Sequence, residues 1–318
     1  MNAGAGGEPD LQWLRQTFGN YVRFNEPMSR HTSFRAGGPA EAFVFCRNLP
    51  MMADLLKWAT EKGTPCRIIG SGTNLLVNDE GIPGITAVLD GPLRDIRIEE
   101  EKGDTVIVRV MAGARMSSLC RFAIKNRLEG MTFALGIPGT AGGGIIMNAG
   151  TAYGAVSDVL ESVTFLRPGG RIEQVARDHL NFSYRSFIWK GHDGVNGEPP
   201  VILAGRFRLK KSDSSPDALK MEARRIIKAR HAKQPIGFPS AGCFFKNPPG
   251  KSAGWLIDQA GLKGVRIGGA EVSECHANFI INREKAASAD ILALAGLVKE
   301  TVFKKFGVCL EPEVRIIG

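Results

Sequence analysis

Six glycines fall within fifteen residues of the stretch "GIPGTAGGGIIMNAG", at positions 136, 139, 142, 143, 144 and 150. Glycine loses more backbone freedom on folding than any other residue, so a purely structural run of this density is entropically costly. The stretch reads as a loop whose backbone must come close to something flat or phosphorylated. Pro138 stiffens it, Thr140 adds a hydroxyl and Asn148 adds an amide. A second turn, "IIGSGTNLL" (residues 68–76), follows an apolar strand and offers backbone N–H groups with little side-chain obstruction, as anion nests do. It lacks the Gly-Lys-Ser/Thr of a Walker loop, and Leu75 sits where a Rossmann fingerprint needs its third glycine. Taken alone it reads more readily as an ordinary tight turn than as a phosphate cradle. The two loops together suggest a long ligand, such as a dinucleotide, lying between two subdomains.

The rest of the chain supplies the frame. "EAFVFC" reads as a strand, and "PMMADLLKWATEKG" as a helix with Met51, Leu55, Leu56 and Ala59 on one face and a stop at Gly63. "PCRIIG" reads as a buried strand that closes a strand-helix-strand unit. "DTVIVRV" alternates like a strand. "RMSSLCRFAIKNRL" places Met116, Leu119, Cys120, Ala123 and Ile124 at helical spacing, which makes Cys120 a packing residue. "SVTFLRPGGRIEQV" is a hairpin turned on Pro168, Gly169 and Gly170, and "PPVILAGRFRLKK" is a further strand. The polar run Lys211 to Asp217 is the best domain boundary. Beyond it come a basic helix with Leu219, Ala223, Ile226 and Ile227 inward, a short helix ending at Gly261, and a long one with Ile291, Leu294, Val298 and Val302 inward and Gly307 as its stop. The chain closes on the strand "VCLEPEVRIIG".

Composition narrows the class. At 318 residues, two or three packed units are expected. The net charge of +9 raises nucleic acid as a partner, but the basic residues are scattered and no nucleic-acid motif accompanies them. The densest patch, "KMEARRIIKARHAK", reads as a solvated helix face beside an anionic-ligand site. The six cysteines form no C-x-x-C pair, which suits reduced thiols in a cytoplasm. The opening "MNAGAGGEPD" reads as a flexible tail, and no apolar run approaches the ~20 residues of a membrane span. No Cys/His or carboxylate cluster has metal-ligand spacing, so no catalytic metal is expected.

Read together, the two glycine loops resemble the flavin-binding domain of the vanillyl-alcohol-oxidase (PCMH) type. With "SRHTSFRAGGPA" upstream and "FSYRSF", "AGCFFKNP" and "LEPEVRIIG" downstream, the chain resembles the UDP-N-acetylenolpyruvoylglucosamine reductase family from about Ser29 to Gly318. The resemblance implies an α+β fold in parts: a tail over residues 1–20, flavin-binding subdomains over 21–91 and 92–210, and a substrate-binding domain over 211–318 whose last strand returns toward the flavin. It implies FAD as cofactor, with NADPH and UDP-N-acetylglucosamine enolpyruvate as partners, in cytoplasmic peptidoglycan precursor synthesis. Oligomeric state is open, with a monomer favoured. Gly70, Ser71, Gly72, Thr73, Asn74 and Leu75 would hold the FAD pyrophosphate. Gly136, Ile137, Pro138, Gly139, Thr140, Gly143, Gly144 and Asn148 would run along the flavin. Arg35, with Gly37 and Gly38, and Ile202 would complete the cofactor site. "MNAGTAYGAVSDVLESV" leaves little room for the extra tyrosine loop that one form of the family carries, so Tyr153 reads as local packing in preference to a substrate lid.

The chemistry explains the remaining positions. Hydride addition beta to a carboxylate builds charge on that carboxylate, and the alpha carbon then needs a proton. Arg185 matches the family's catalytic arginine, and its planar fork suits a carboxylate of growing charge. Glu313 matches the catalytic glutamate; facing a developing dianion, it should carry a raised pKa, with Glu311 as its competitor. Cys243 stands where most members of the family carry serine, the proton donor. An unperturbed thiol, with a pKa of about 8.5, keeps its proton at neutral pH. Tyr184, Lys233, Asn247 and His276 match substrate-contacting positions, although a packed structural role for His276 stays open. An oxidase of the same fold would lack the Arg185, Cys243 and Glu313 set, and a nucleotide-sugar binding protein without enzymatic activity would be colourless.

Overall fold

The structure, a computed structural model, describes residues 11–167, 170–189 and 200–318. Two compact units emerge, each assembled from separate pieces of chain: Met1–Arg23, Phe43–Ser71 and Gly84–Lys228 in the first, and Phe24–Ala42, Gly72–Pro83 and Ala229–Gly318 in the second. The first four crossings fall inside the strands Val22–Pro27, Pro39–Cys46 and Ile82–Leu89 or within the loop at Ser71, and the fifth inside the helix Pro216–His231.

In the first unit, Leu11–Phe18 is a helix with Leu14 and Phe18 buried, and Trp13 stacks on Trp58 at 4.6 Å. The tail expected over residues 1–20 is therefore ordered and packed from Leu11 onward, because two apolar rings and a leucine are worth burying there; residues 1–10 lie outside the described residues. The helix Leu49–Lys62 is capped by Asn48, whose side chain accepts from the Met51 N–H, and ends at Gly63 in the left-handed conformation (φ +63°). Its buried face is Met52, Leu55, Trp58 and Ala59, so Met51 and Leu56 give way to Met52 and Trp58. The strand Cys66–Ile69 pairs in parallel with Ile85–Val88, which separates it in the sheet from Pro39–Cys46; only Ile69 of the four is buried.

The larger sheet of this unit has the order Ile172–Ala176, Leu160–Leu166, Val201–Lys211, Thr105–Met111, Ile96–Lys102, with Leu128–Glu129 pairing off the central strand. The strand Thr105–Met111 buries Val106, Ile107, Val108 and Val110. The helix Met116–Lys125 lies against Leu128–Glu129, with Met116, Leu119, Cys120 and Ala123 buried and Ile124 only half so. Leu166 opposite Ile172 closes the expected hairpin, while Pro168 and Gly169 lie outside the described residues.

In the second unit, the core gathers Phe34, Leu76, Phe244, Phe245, Leu256, Ile257, Ile280 and the inner face of the helix Ser288–Phe306. That helix buries Ile291, Leu294, Val298 and Val302 and stops at Gly307 (φ +65°). Each such side chain contributes roughly 1.5–3 kcal/mol, which outweighs any single cap. Its N-terminus is nevertheless well held: Asp79 accepts from the N–H groups of Ser288 (2.8 Å) and Ala289 (2.9 Å). The expected closing strand is short, Arg315–Ile317, and runs parallel to Leu75–Val77. The basic helix Pro216–His231 belongs to the first unit as far as Lys228; it buries Ala223 and Ile226 and leaves Leu219 and Ile227 half-exposed.

Candidate active site

In the first unit, the strand Cys66–Ile69 delivers Gly70 against Thr140. A Cβ on Gly70 would stand 2.6 Å from Thr140 Oγ1, so the two glycine loops meet only because position 70 has no side chain. Thr140 in turn caps the short helix Ala141–Ile146 by accepting from the Gly143 N–H at 3.3 Å. Gly136 (φ +76°) and Gly139 (φ +117°) occupy backbone conformations that other residues avoid. The remaining glycines divide by role. Gly142 packs on Ala112 and Gly144 on Met116, whereas Gly143 meets nothing nearer than Thr140 Oγ1 at 3.4 Å and keeps an uncovered face. An uncovered, side-chain-free backbone beside a hydroxyl fits a flat or phosphorylated group. Ile137 and Pro138 complete the turn, with Pro138 exposed and Ile137 half-buried. Ser71 is exposed at its end of the first loop. Ile202 is buried in the sheet opposite Phe165.

Asn148 has a left-handed backbone (φ +39°), and its amide works in both directions. Nδ2 donates to the Ser183 carbonyl at 3.2 Å and Oδ1 accepts from the Ser157 N–H at 3.0 Å. The glycine-rich turn is thereby tied to the hairpin Leu180–Ser183/Ser186–Trp189, whose two turn residues are Tyr184 and Arg185. Arg185 takes φ +55°, and its Nη1 donates to the Gly150 carbonyl at 3.4 Å. Its guanidinium lies 5.2 Å from the centre of the exposed Tyr184 ring. Tyr153 stands 63% exposed in the short turn between Gly150–Thr151 and Gly154–Ala155, which overturns its reading as a packing residue.

In the second unit, Gly72 (φ +64°), Thr73, Asn74 and Leu75 continue the first loop. Ser33 donates its N–H to the Gly72 carbonyl at 3.1 Å, and a side chain on Gly72 would collide with the His31 carbonyl. Arg35 sits in the same bend with φ +53°. Gly37 and Gly38 have a packing reason: a Cβ on Gly37 would stand 2.7 Å from that of Val77, and one on Gly38 would strike the Asp79 carbonyl.

Cys243 and Glu313 are brought together here by main-chain bonds. The Glu313 N–H donates to the Phe244 carbonyl at 2.8 Å, the Lys246 N–H to the Glu311 carbonyl at 2.9 Å, and Phe245 and Pro312 form a bridge. Asn74 Nδ2 donates to the Glu313 carbonyl at 3.0 Å, and the Arg315 N–H returns to the Asn74 carbonyl at 3.0 Å. The far end of the chain is thus pinned to the end of the glycine loop. Glu311 turns outward into an ion pair with Lys246 at 3.3 Å, 73% exposed, while Glu313 is half-buried. Cys243 is half-buried, unlike Cys46 and Cys120, whose thiols burial pushes up to about 12. None of the six cysteines is in a disulfide.

Asn247 is exposed, and its Oδ1 accepts from the Ala253 N–H at 3.0 Å at the start of the helix Ala253–Gln259. Lys233 is exposed just beyond the basic helix. His276 Nδ1 accepts from the Asn278 N–H at 3.2 Å, so a neutral ring carries its proton on Nε2. Burial holds the His276 pKa below the usual imidazole range. Asn278, which the sequence does not single out, is buried and hydrogen-bonds both sides of Phe245; its signal was only an amide two residues from His276. Among the described residues, no group of three or more His, Cys, Asp or Glu could hold a metal ion. No helix among them is long and apolar enough to cross a membrane.

Residues 40–176 match the family profile of an FAD-binding domain, and residues 234–317 match the profile described as UDP-N-acetylenolpyruvoylglucosamine reductase, C-terminal domain. The chain is 44% identical over 308 residues to the UDP-N-acetylenolpyruvoylglucosamine reductase of Desulfosudis oleivorans, covering 96% of this chain and 98% of that one. It belongs to that family. The corresponding protein of Chloroflexus aggregans is 43% identical across 93% of this chain and 97% of its own. The crystal structure of the UDP-N-acetylenolpyruvylglucosamine reductase of Thermus caldophilus superposes with a TM-score of 0.76 at 32% identity, over 93% of this chain and 98% of that chain. The fold is thus the α+β arrangement of this reductase family, an FAD-binding domain followed by its C-terminal domain, and the chain is an FAD-dependent oxidoreductase. Cys243, Asn247, His276 and Glu313 fall within the matched C-terminal domain, and Arg185 lies between the two matched segments.

Proposed function

We propose that this chain reduces the enolpyruvyl ether of UDP-N-acetylglucosamine to UDP-N-acetylmuramate with NADPH, as a cytoplasmic step of peptidoglycan precursor synthesis. The observation that carries the reading is the joining of Cys243 to Glu313 through the Phe244 carbonyl, beside Asn74 at the end of a glycine loop. Cys243 and Glu313, read here as proton donor and acid, come from distant parts of the sequence and are linked by this main-chain bond in a member of a flavin-dependent reductase family.

The glycine loops at Gly70–Leu75 and Gly136–Gly144, with Asn148, Arg35 and Ile202, would hold FAD. Bound FAD supplies a two-electron carrier that accepts hydride from NADPH and gives it to the beta carbon of the enolpyruvyl group. NADPH and substrate would then take turns. Arg185 holds the substrate carboxylate, and its fork of donors meets the charge that grows there as the hydride arrives. Cys243 gives the Sγ proton to the alpha carbon. Glu313 faces the same developing charge, which favours its protonated form and lets it share a proton with the carboxylate. Glu311 is a poorer candidate because its carboxylate is turned to Lys246 and solvent. His276, with Nδ1 already engaged, would offer its Nε2–H to the substrate alongside Tyr184, Lys233 and Asn247. The expected domains, with flavin-binding subdomains over 21–91 and 92–210 and a substrate domain over 211–318, belong to this proposal, as does a monomeric state.

The test is anaerobic. NADPH should bleach the yellow protein, and the enolpyruvyl substrate should restore the colour. Bleaching without restoration defeats the assigned substrate; restoration by air alone at a rapid rate identifies an oxidase.

A further inference from the structure

Asn278 is 3% exposed and binds the chain on either side of Phe244 and Phe245. Its Oδ1 accepts from the Phe245 N–H at 2.9 Å, its Nδ2 donates to the Phe245 carbonyl at 2.8 Å, and its own carbonyl accepts from the Phe244 N–H at 2.7 Å. One buried residue therefore fixes the two residues that directly follow Cys243. Only a primary amide can both donate and accept in this planar way at neutral pH.

The contacts propagate along the backbone. The Phe244 carbonyl accepts from the Glu313 N–H at 2.8 Å, and the Asn278 N–H donates to His276 Nδ1 at 3.2 Å. Phe244 and Phe245 are each 1% exposed, so the segment has no room to shift and re-form these bonds elsewhere. Losing the amide would leave the Phe245 N–H and carbonyl buried and unpaired, and the Cys243 segment would lose the bonds that fix it.

We infer that Asn278 is a positioning residue for the second half of the reaction: its side-chain amide holds the Cys243 segment in register with Glu313. The inference rests on the roles proposed above for Cys243 and Glu313. Asn278 touches no reacting atom. A purely structural role would lower stability or slow both halves alike, whereas a positioning role separates them.

The holoenzyme of Asn278→Ala is compared with wild type in anaerobic stopped flow. Bleaching by NADPH should stay within about twofold of wild type, while recolouring by the enolpyruvyl substrate slows ~10–100-fold, as misplacements of about an ångström do. Equal slowing of both halves, or of neither, overturns the inference. Asn278→Asp serves if the alanine variant fails to fold. It keeps the acceptor for the Phe245 N–H but turns a carboxylate oxygen toward the Phe245 carbonyl; protonation restores a donor. Its recolouring rate, expressed relative to wild type at each pH, should recover as pH falls, and a ratio independent of pH overturns the inference. A third measurement is independent of the substrate. Alkylation of Cys243 by iodoacetamide, followed by peptide mass, should be faster in either folded variant than in wild type, and an unchanged rate counts against positioning. Should wild-type enzyme bleach but never recolour, the proposed reaction fails, and the alkylation comparison alone decides the role of Asn278.

Discussion

Arg185 and Cys243 are held by different means. Arg185 stands at the turn of a hairpin supported chiefly by side chains: Phe182 stacks on Phe187 at 4.7 Å, Phe187 on Trp189 at 5.2 Å, and Trp189 on Phe165 at 4.3 Å. Arg177 adds its guanidinium over Phe182 at 4.9 Å. Cys243 lies on an irregular stretch held by main-chain and amide hydrogen bonds to Asn278 and Glu313. A ring stack fixes the hairpin, while the long arginine side chain at its turn reaches back to the Gly150 carbonyl. A hydrogen-bonded backbone fixes the Cα of a short side chain and so leaves the group little freedom. The difference suits the roles proposed above, a cation that meets a growing charge and a thiol that delivers a proton to one carbon.

The sharpest test removes each group. Cys243→Ala should slow recolouring of the reduced enzyme by the enolpyruvyl substrate ~10²–10⁴-fold, the usual contribution of a positioned acid. Arg185→Ala should cost ~10²–10³-fold, as loss of one charge-stabilising donor does, and Arg185→Lys should recover part of it. Flavin content, measured by the visible spectrum, should stay at the wild-type level in all three. A flavin-poor Arg185→Ala protein would break the contrast by making Arg185 a holder of the cofactor.

Stability separates the two supports next. Phe187 is 8% exposed in the stack, so Phe187→Ala should cost ~3–5 kcal/mol in thermal or denaturant unfolding. Phe238, near the start of the Cys243 stretch, is 40% exposed under Arg283, and Phe238→Ala should cost only about 0.5–1 kcal/mol. Similar losses would mean that rings support both segments.

This contrast also explains what was legible in the sequence. Helix stops at Gly63 and Gly307, the inward face of Ile291, Leu294, Val298 and Val302, and the pairing around Leu166 follow from local periodicity and turn chemistry. The helix from Leu11 was hidden because its burial depends on Trp58, far along the chain. The swap of Met51 for Met52 likewise depends on which side of the helix meets the sheet. At the site, Arg185, Cys243 and Glu313 were singled out through motif resemblance, and the chemistry proposed for them rests on it. Asn278 and the dual engagement of Asn148 were not, since an amide's worth depends on the backbone groups that tertiary folding brings to it. Tyr153 misled because a tyrosine in a short turn gives no sign of whether a wall stands opposite.

A smaller effect probes the donor itself. Cys243→Ser should recolour at neutral pH at a rate near that of the wild type but differ in its alkaline limb. A thiol ionises in the alkaline range, whereas a serine hydroxyl does not. Wild type should therefore fall by up to about tenfold per pH unit on its alkaline limb while the serine variant stays flatter. Superimposable limbs would show that thiol ionisation does not control the step. In the same pH range, peptide-resolved alkylation of folded protein should mark Cys275 and Cys309, both exposed, and spare Cys46 and Cys120, whose thiols stay protonated to about 12.

The smallest effect concerns His276, which meets both kinds of support: it stacks edge-on against Phe279 at 4.8 Å and accepts a backbone bond from Asn278. Burial lowers its pKa in the folded protein, although its own backbone hydrogen bond opposes the shift. Between the lowered value and the ordinary imidazole range the unfolded chain binds more protons than the folded one, so unfolding is favoured by acid. The contribution is fully present above the unfolded pKa of about 6.5 and is lost as pH falls through the folded value. Because the ring is only half-buried, the shift in Tm across this window should be no more than ~2 °C, and His276→Gln should abolish it. An identical acid slope in the variant would assign the loss to other groups.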